Sequence, residues 1–502
     1  MTASIWMESQ PIAYSNSLQL NGAADVCVIG AGIAGITTAY CLAREGKSVV
    51  VLDDGPIGGG ETQRTTAHLA NAIDDRYVEI ERCHGQEGAR LAAESHTAAI
   101  DFIEATVARE KIACDFERID GYLFVPAGEP RDILDEELQA ARRAGLVQVQ
   151  LVPYAPMANF DTGPCLRFPN QGQFHPTKYL NGLAEAILRM GGRIYTGAHV
   201  VDIEAGPPAL AKTKNGPAIT ASAVVVATNT PINDRVAIHT KQAAYISYVL
   251  AFAIPKGSVT KALYWDTADP YHYVRVHSMP NDDLLIVGGE DHKTGQAQDA
   301  DVRYSRLDMW ARERFPIEGR VRHRWSGQVL EPVDGLAFIG RNPLDAENVY
   351  VATGDSGMGM THGTIAGMLL TDLILGRRNP WASLYDPSRK SLRAAGTFLQ
   401  ENLNVARQYG SWLTSGDVSS TDQVARGAGA ILRRGLTKVA VYRDQAGQLH
   451  ELSAVCPHLG CIVEWNSNEN SWDCPCHGSR FDCNGKVMNG PANSDLPAIR
   501  EG

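Results

Sequence analysis

Residues 25–54 read DVCVIGAGIAGITTAYCLAREGKSVVVLDD, and this stretch decides the fold of most of the chain. DVCVIG is a short apolar strand. Gly30-Ala31-Gly32-Ile33-Ala34-Gly35 then has the spacing G-x-G-x-x-G, and apolar residues recur at helical intervals until Gly46 offers a stop. KSVVVLDD is a second strand ending on Asp53 and Asp54. Glycines at these positions let the backbone turn tightly and bring N–H groups against a pyrophosphate at a helix N-terminus. Asp53, eighteen residues past Gly35, is spaced to accept a hydrogen bond from a ribose hydroxyl. The pattern predicts a βαβ dinucleotide-binding unit; a fortuitous Gly-rich turn is the alternative.

The unit alone does not choose between FAD and NAD. It is followed by GPIGGGETQRTTAHLA (55–70), rich in N–H and O–H donors. Further on come AVVVATNTP (223–231), WSGQVLEPVDG (325–335), GLAFIGR (335–341) and NVYVATGDSGMGMTHGTIAGMLLTDLILG (348–376), the last a strand, Gly-rich turn and helix. In this order, over roughly residues 25–380, these segments resemble the D-amino-acid-oxidase-like FAD-dependent oxidoreductases. The resemblance sets Thr62 and Arg64 at that family's Ser and Arg and implies FAD as cofactor. It assigns cofactor contacts to Gly30, Gly32, Ile33, Ala34, Gly35, Asp53, Asp54, Gly60, Thr62, Arg64, Thr65, Thr66, Val200, Gly354, Gly357, Met358, Gly359, Met360 and Thr361. The second helix would turn its N-terminal N–H groups to the pyrimidine edge of the isoalloxazine and stabilise negative charge on the reduced ring. The implied fold is an α/β flavoprotein. Its Rossmann-type FAD domain takes about residues 22–100, 176–235 and 321–383, and an interleaved antiparallel-sheet substrate domain takes about 101–175 and 236–320, within a unit spanning 1–383.

One dinucleotide fingerprint is present, which points to an organic substrate as the reductant of FAD instead of NAD(P)H. In YWDTADPYHYVRV (264–276) a strand puts Tyr271, Tyr273 and Arg275 on one face. Two phenols and a guanidinium are suited to bind a carboxylate, the guanidinium in two-pronged fashion, and to pack an amine-bearing carbon against the flavin. An ordinary half-buried strand with a surface Arg is the alternative. His362 in GMGMTHG is a candidate contact to flavin or substrate. For His68 a packing or polar role is expected over a covalent flavin link.

The C-terminal region carries Cys456-Pro457-His458-Leu459-Gly460-Cys461 and Cys474-Pro475-Cys476-His477-Gly478-Ser479. Each segment contributes one Cys and one His, as C-x-H and C-x-x-H. This suits a two-iron two-sulfur cluster with two thiolates on one iron and two imidazoles on the other, with a structural zinc as the alternative. The segments resemble the two cluster loops of Rieske proteins of the cytochrome bc and b6f type. The resemblance implies Cys456 and Cys474 on one iron and His458 and His477 on the other. It also implies a disulfide between Cys461 and Cys476, and a hydrogen bond from Ser479 to a cluster sulfide. Phe481 stands where high-potential members have Tyr, which predicts a lower potential. Residues 384–419 read as a helical linker, with Leu399, Leu403 and Ala406 at i, i+4, i+7, and 420–502 as a small all-β Rieske domain. GPANSDL (490–496) resembles the Pro-containing loop that shields the cluster.

Over 502 residues the formal net charge is −11, which argues against a nucleic-acid partner. No run of about 18 apolar residues occurs, so no membrane span is expected. MTASIWMESQPIAY (1–14) lacks a basic and an apolar leader region, so a cytoplasmic location is expected. Cys27, Cys41, Cys83, Cys114 and Cys165 are scattered, as small buried hydrophobes are. The expected activity is that of an FAD-dependent dehydrogenase oxidising an amine or amino-acid-like substrate, with the Rieske cluster passing electrons to an external acceptor. An NAD(P)H-driven electron-transfer reductase and a non-enzymatic redox sensor are the alternatives. A Rieske oxygenase is not expected, because the 25 residues after His477 are too few for a non-haem iron domain.

Overall fold

The structure is a computed structural model that describes residues 2–8, 17–233, 238–343, 345–390 and 392–499. Part of the segment read for a leader (residues 9–14) and the end of one FAD-binding part (234–235) lie outside them. Two large sheets face one another. The first runs Phe338–Arg341, Val349–Thr353, Ala218–Val226, Gly22–Ile29, Val49–Leu52, Arg193–Tyr195, with the Val200–Glu204 and Ala209–Thr213 pair attached at Ala218–Val226. Its central strand, Gly22–Ile29, is parallel to both neighbours, with Val26 opposite Val49 and Ala223. Helices cover such a parallel sheet and bury its strands, so these strands are dense in Val and Ile instead of alternating.

Helix Ile33–Arg44 follows the first strand and packs on helix Gly359–Ile374. Gly363 and Gly367 make this approach possible, since a Cβ on Gly363 would come within 2.6 Å of Ile33 Cγ2 and one on Gly367 within 2.5 Å of Thr37 Cγ2. Both helix N-termini consequently open onto the same side of the sheet.

The second sheet has nine strands in the order Val321–Pro332, Gln242–Ile254, Asp283–Lys293, His272–Ser278, Leu263–Asp266, Glu117–Phe124, Cys165–Gln173, His68–Leu69, with Gln150–Val152 beside Cys165–Gln173. It is antiparallel except where Leu263–Asp266 meets Glu117–Phe124. Val321–Pro332 was expected in an FAD-binding part; it pairs along Gln242–Ile254 from Pro332↔Gln242 to Val321↔Phe252 and so belongs to the second sheet.

The C-terminal region has a three-stranded sheet (Ala428–Arg434, Thr437–Arg443, Leu449–Ser453) and a four-stranded one (Glu464–Asn466, Ser471–Asp473, Arg480–Asp482, Val487–Asn489). The helix expected in the linker is Ala395–Gln408, and its apolar stripe faces outward: Leu399 is 60% and Leu403 52% exposed. Among the described residues no helix is long and apolar enough to cross a membrane.

Candidate functional site

A cavity of about 380 Å³ lies between the two large sheets. The Gly-rich turn after Gly22–Ile29 forms one end. Gly30 has φ 105°, a left-handed conformation that favours glycine, and a Cβ there would overlap the Ala227 carbonyl. Thr62 Oγ1 accepts the Ile33 N–H (3.1 Å), tying the donor-rich segment to the helix start. Asp53 accepts the N–H groups of Ala31 (2.5 Å) and Gly55 (2.7 Å). Burial, with Asp54's charge adding to it, pushes its carboxyl up to about 7 despite these donors.

Gly30, Gly32, Ile33, Ala34, Asp53, Asp54, Gly60, Thr62, Arg64, Thr65, Thr66, Val200, Gly354, Gly357, Met358, Gly359 and Met360 all line this cavity. Gly35 and Thr361 do not. Gly35 lies against the Gly30 carbonyl, where a Cβ would overlap it, and so serves helix–turn packing. Thr361 turns its hydroxyl to Met358 O (3.1 Å) and His96 Nδ1 (2.8 Å), as a helical hydroxyl that bonds its preceding turn does.

Of the substrate candidates, Tyr271, Tyr273 and His362 line the cavity, as does His68. Tyr271 donates to Asp74 Oδ2 (2.8 Å), and the Tyr273 hydroxyl shares a hydrogen bond with Ser247 Oγ (2.6 Å). Arg275 departs from the expectation. It is fully buried outside the cavity lining, and its Nη1 donates to the carbonyls of Thr66 (3.0 Å), Ala67 (2.8 Å) and Phe174 (3.1 Å). Strand alternation gives it the face of the two tyrosines, but three carbonyl oxygens at the sheet's end take the guanidinium first. His68 is half-buried with Nδ1 at Thr66 Oγ1 (3.0 Å), and loss of solvent around the ring followed by Arg275's charge drives it down to about 3, so it is neutral.

The residues present fit FAD. Two helix N-termini open on the cavity, and three buried polar side chains lining it keep an atom without a protein partner: Thr230 Oγ1, Gln328 Oε1 and His362 Nε2. Buried polar atoms are nearly always hydrogen-bonded, so these mark where a ligand with many donors and acceptors belongs.

The cluster loops fit a two-iron cluster with two thiolate and two imidazole ligands. Cys456 and Cys474 are buried and close enough for their thiols to hydrogen-bond, and the rings of His458 and His477 are 5.0 Å apart. Each loop closes on a left-handed glycine, with Gly460 N–H to Cys456 O and Gly478 N–H to Cys474 O, both 3.0 Å. Cys461 and Cys476 are joined in a disulfide, with their Cα atoms 6.4 Å apart. Burial, followed by the charges of His458 and His239, brings His477 down to about 3, leaving the neutral imidazole that ligation needs. Ser479 Oγ accepts the Ala492 N–H (3.0 Å), so the loop after residue 490 is tied to the second cluster loop.

That same loop also closes the flavin cavity, which sequence reasoning missed. Met488, Asn489, Gly490, Ala492 and Asn493 line it. Asn489 Nδ2 donates to Glu61 Oε1 (2.9 Å) and Asn493 Nδ2 to Val200 O (3.1 Å). Gln328 Nε2 donates to Gly478 O (2.8 Å), and His239 sets its ring 5.0 Å from that of His458. Asp74 was also missed, for no local motif marks it, and Gln328 was not singled out within the segment 325–335.

Comparison with known proteins agrees with both halves. The sequence model of the FAD dependent oxidoreductase family matches residues 25–373, and that of the Rieske [2Fe-2S] domain matches 414–500. The chain is 33% identical over 499 residues to the putative Rieske 2Fe-2S iron-sulfur protein YhfW of Bacillus subtilis, covering 98% of this chain and 97% of the relative. It is 28% identical to the gamma-glutamylputrescine oxidoreductase of Escherichia coli, over 70% of this chain and 84% of that one. The fold of glycine oxidase from Geobacillus kaustophilus superposes with a TM-score of 0.61 at 18% identity, over 74% of this chain and all of that one. The chain belongs to the FAD dependent oxidoreductase family, carries a C-terminal Rieske [2Fe-2S] domain, and is an FAD-dependent oxidoreductase with two cofactors, FAD and a 2Fe-2S cluster.

Proposed function

We propose that the protein is a dehydrogenase that oxidises a C–N bond of an amine or amino-acid-like substrate and delivers the electrons through its own Rieske cluster to an external acceptor. The observation that carries this reading is the loop around residues 488–493, which lines the flavin cavity on one side and reaches Ser479 beside the cluster ligands on the other. FAD supplies a two-electron acceptor of hydride and the cluster a one-electron carrier, which is why one chain holds both.

The chain's own residues have separate tasks in this reading. Gly30, Gly32, Thr62 and Asp53 hold the dinucleotide, with backbone donors at the helix start and a carboxylate for the ribose. Cys456, His458, Cys474 and His477 hold the cluster, with Ser479 as a hydrogen-bonding hydroxyl. Tyr271 and Tyr273 meet the substrate, while the second sheet and the loop at 488–493 exclude water from the reacting face. Gln328 and His239 keep the cluster loops docked against the flavin domain. The neighbouring gamma-glutamylputrescine oxidoreductase, by its name, acts on an amine-bearing compound, which supports the C–N assignment.

The test is anaerobic reduction of the holoenzyme by amines and amino acids, followed by optical and EPR spectroscopy. Flavin bleaching followed by a reduced Rieske signal supports the reading. Flavin that is reduced while the cluster stays oxidised through many turnovers refutes the relay, and bleaching by NADH alone refutes the substrate class.

A further inference from the structure

We propose that the substrate end of the flavin cavity binds a protonated amine, held by Asp74 together with Tyr271 and Tyr273, and that it makes no provision for a substrate carboxylate. The inference rests on the dehydrogenase reading and narrows its substrate class.

The charges around the cavity support it. Among the described residues that line the cavity, Arg64 is the one Lys or Arg, and its guanidinium is committed. Nη1 donates to Ser326 O (2.8 Å), Nη2 donates to Thr2 O (3.3 Å), and Glu469 lies 3.7 Å away. Arg275, the cation the strand pattern offered, is spent on three carbonyls. A carboxylate entering here would be desolvated with no cation to meet it, at a cost that selects against it.

The carboxylates differ in what they have left to offer. Asp53, Glu61 and Asp355 each accept a backbone N–H, from Ala31, Gln328 and Leu330 respectively, and Asp54 pairs with His199. Asp74, by contrast, receives the Tyr271 hydroxyl (2.8 Å) and otherwise faces the cavity. It abuts the Gly357 turn, where φ is 67° and a Cβ would overlap its carboxylate, so the turn leaves room for this side chain.

One further observation points to a ligand at Asp74 and another to unmet hydrogen-bonding capacity in the same cavity. The Tyr271 and Tyr273 rings have centroids 5.4 Å apart beside this carboxylate, and two aromatic rings with an acid form a cation-binding arrangement. His362 is 2% exposed and lines the cavity. Its Nδ1 is 2.8 Å from Asp355 O, which assigns the proton to Nδ1 and leaves Nε2 an acceptor without a partner. Val249, Trp265 and Val329 supply apolar surface for the carbon skeleton.

Two probes that differ in one group test this. Tert-butylamine and 2-aminoisobutyrate both lack hydrogen on the carbon bearing nitrogen, so neither is oxidised, and the second replaces a methyl with a carboxylate. Each is titrated into the holoenzyme, with binding read by calorimetry and by perturbation of the flavin absorption. The expected result is saturable binding of tert-butylamine, with 2-aminoisobutyrate at least about tenfold weaker. Asp74→Asn should weaken tert-butylamine about 10- to 100-fold with flavin content unchanged, as loss of a charge-assisted contact does. Should Asp74→Asn fail to fold, Tyr271→Phe replaces it, with an expected weakening of about three- to tenfold. Equal or tighter binding of 2-aminoisobutyrate, or a Kd that the variants leave unchanged, overturns the inference. So does binding of neither probe. The dehydrogenase reading falls separately, if oxidisable amines and amino acids alike leave the flavin oxidised under anaerobic conditions.

Discussion

Gln328 donates its Nε2 hydrogen to the Gly478 carbonyl across 2.8 Å, although Gln328 lines the flavin cavity and Gly478 follows His477, the proposed cluster ligand. A single side chain thus reaches from the cofactor cavity to a cluster loop. Gln328→Leu should leave the buried Gly478 carbonyl without its partner and destabilise the docked loop by about 1–3 kcal/mol. A lowered midpoint for cluster loss on heating, with slower cluster reduction after the flavin is reduced, is the expected outcome. An unchanged midpoint would remove Gln328 from this role.

Affinity for amines should depend on pH through Asp74. Burial, then Asp75's charge, pushes its carboxyl up to about 7, with Asp291 acting in the same sense and Tyr271 and Arg76 opposing. Glu331 faces the same group, and the Ser356 hydroxyl lies within hydrogen-bond distance of both Glu331 (2.9 Å) and Asp75 (2.7 Å). A protonated amine prefers ionised Asp74, so binding of tert-butylamine should tighten about tenfold from pH 6 to pH 8. Asp74→Asn should flatten that profile; a profile that keeps its slope in the variant assigns the titration to another group.

Cys461 and Cys476 close a loop with a separation of 15 residues. Their double replacement by Ser should cost about 3 kcal/mol on the loop-entropy account. The visible absorption of the cluster should disappear at a lower temperature than in the parent protein, and reduction of the parent with a strong dithiol should have the same effect.

Phe481 is fully buried in the strand beside the second cluster loop. Phe481→Tyr, by adding a hydroxyl to the cluster surroundings, should raise the reduction potential on the order of 60 mV, the span of a tenfold change for one electron. Ser479→Ala should lower it by a similar amount. Redox titration followed by EPR reads both, and unchanged potentials would show that neither position bonds a sulfur.

Arg275→Met should act on stability and not on substrate choice, since the guanidinium serves the carbonyls of Thr66, Ala67 and Phe174. Leaving these unsatisfied costs about 3 kcal/mol or more. A large drop in the thermal midpoint with an unchanged Kd for tert-butylamine in the folded protein is the expected pair of results.

Both cofactor sites were legible in the sequence because each is built from short-range geometry. The turn at Gly30–Ile33 and the loops holding Cys456 and Cys474 place their donors through residues a few positions apart, and backbone sterics leave such segments little choice. Strand alternation was a weaker guide. It put Tyr271, Tyr273 and Arg275 on one face, but a face says nothing of what lies opposite, and the carbonyls from residues 66, 67 and 174 drew Arg275 away from the cavity. Only tertiary structure could place Asp74 against Tyr271, nearly two hundred positions later, or bring residues 488–493 onto the cavity. These contacts join segments with no local signal, chosen by how two sheets and a small β domain bury their surfaces together. The sequence by itself determined which cofactors the chain binds; the packing of the chain decided which charge faces the cavity and how closely that cavity adjoins the cluster loops.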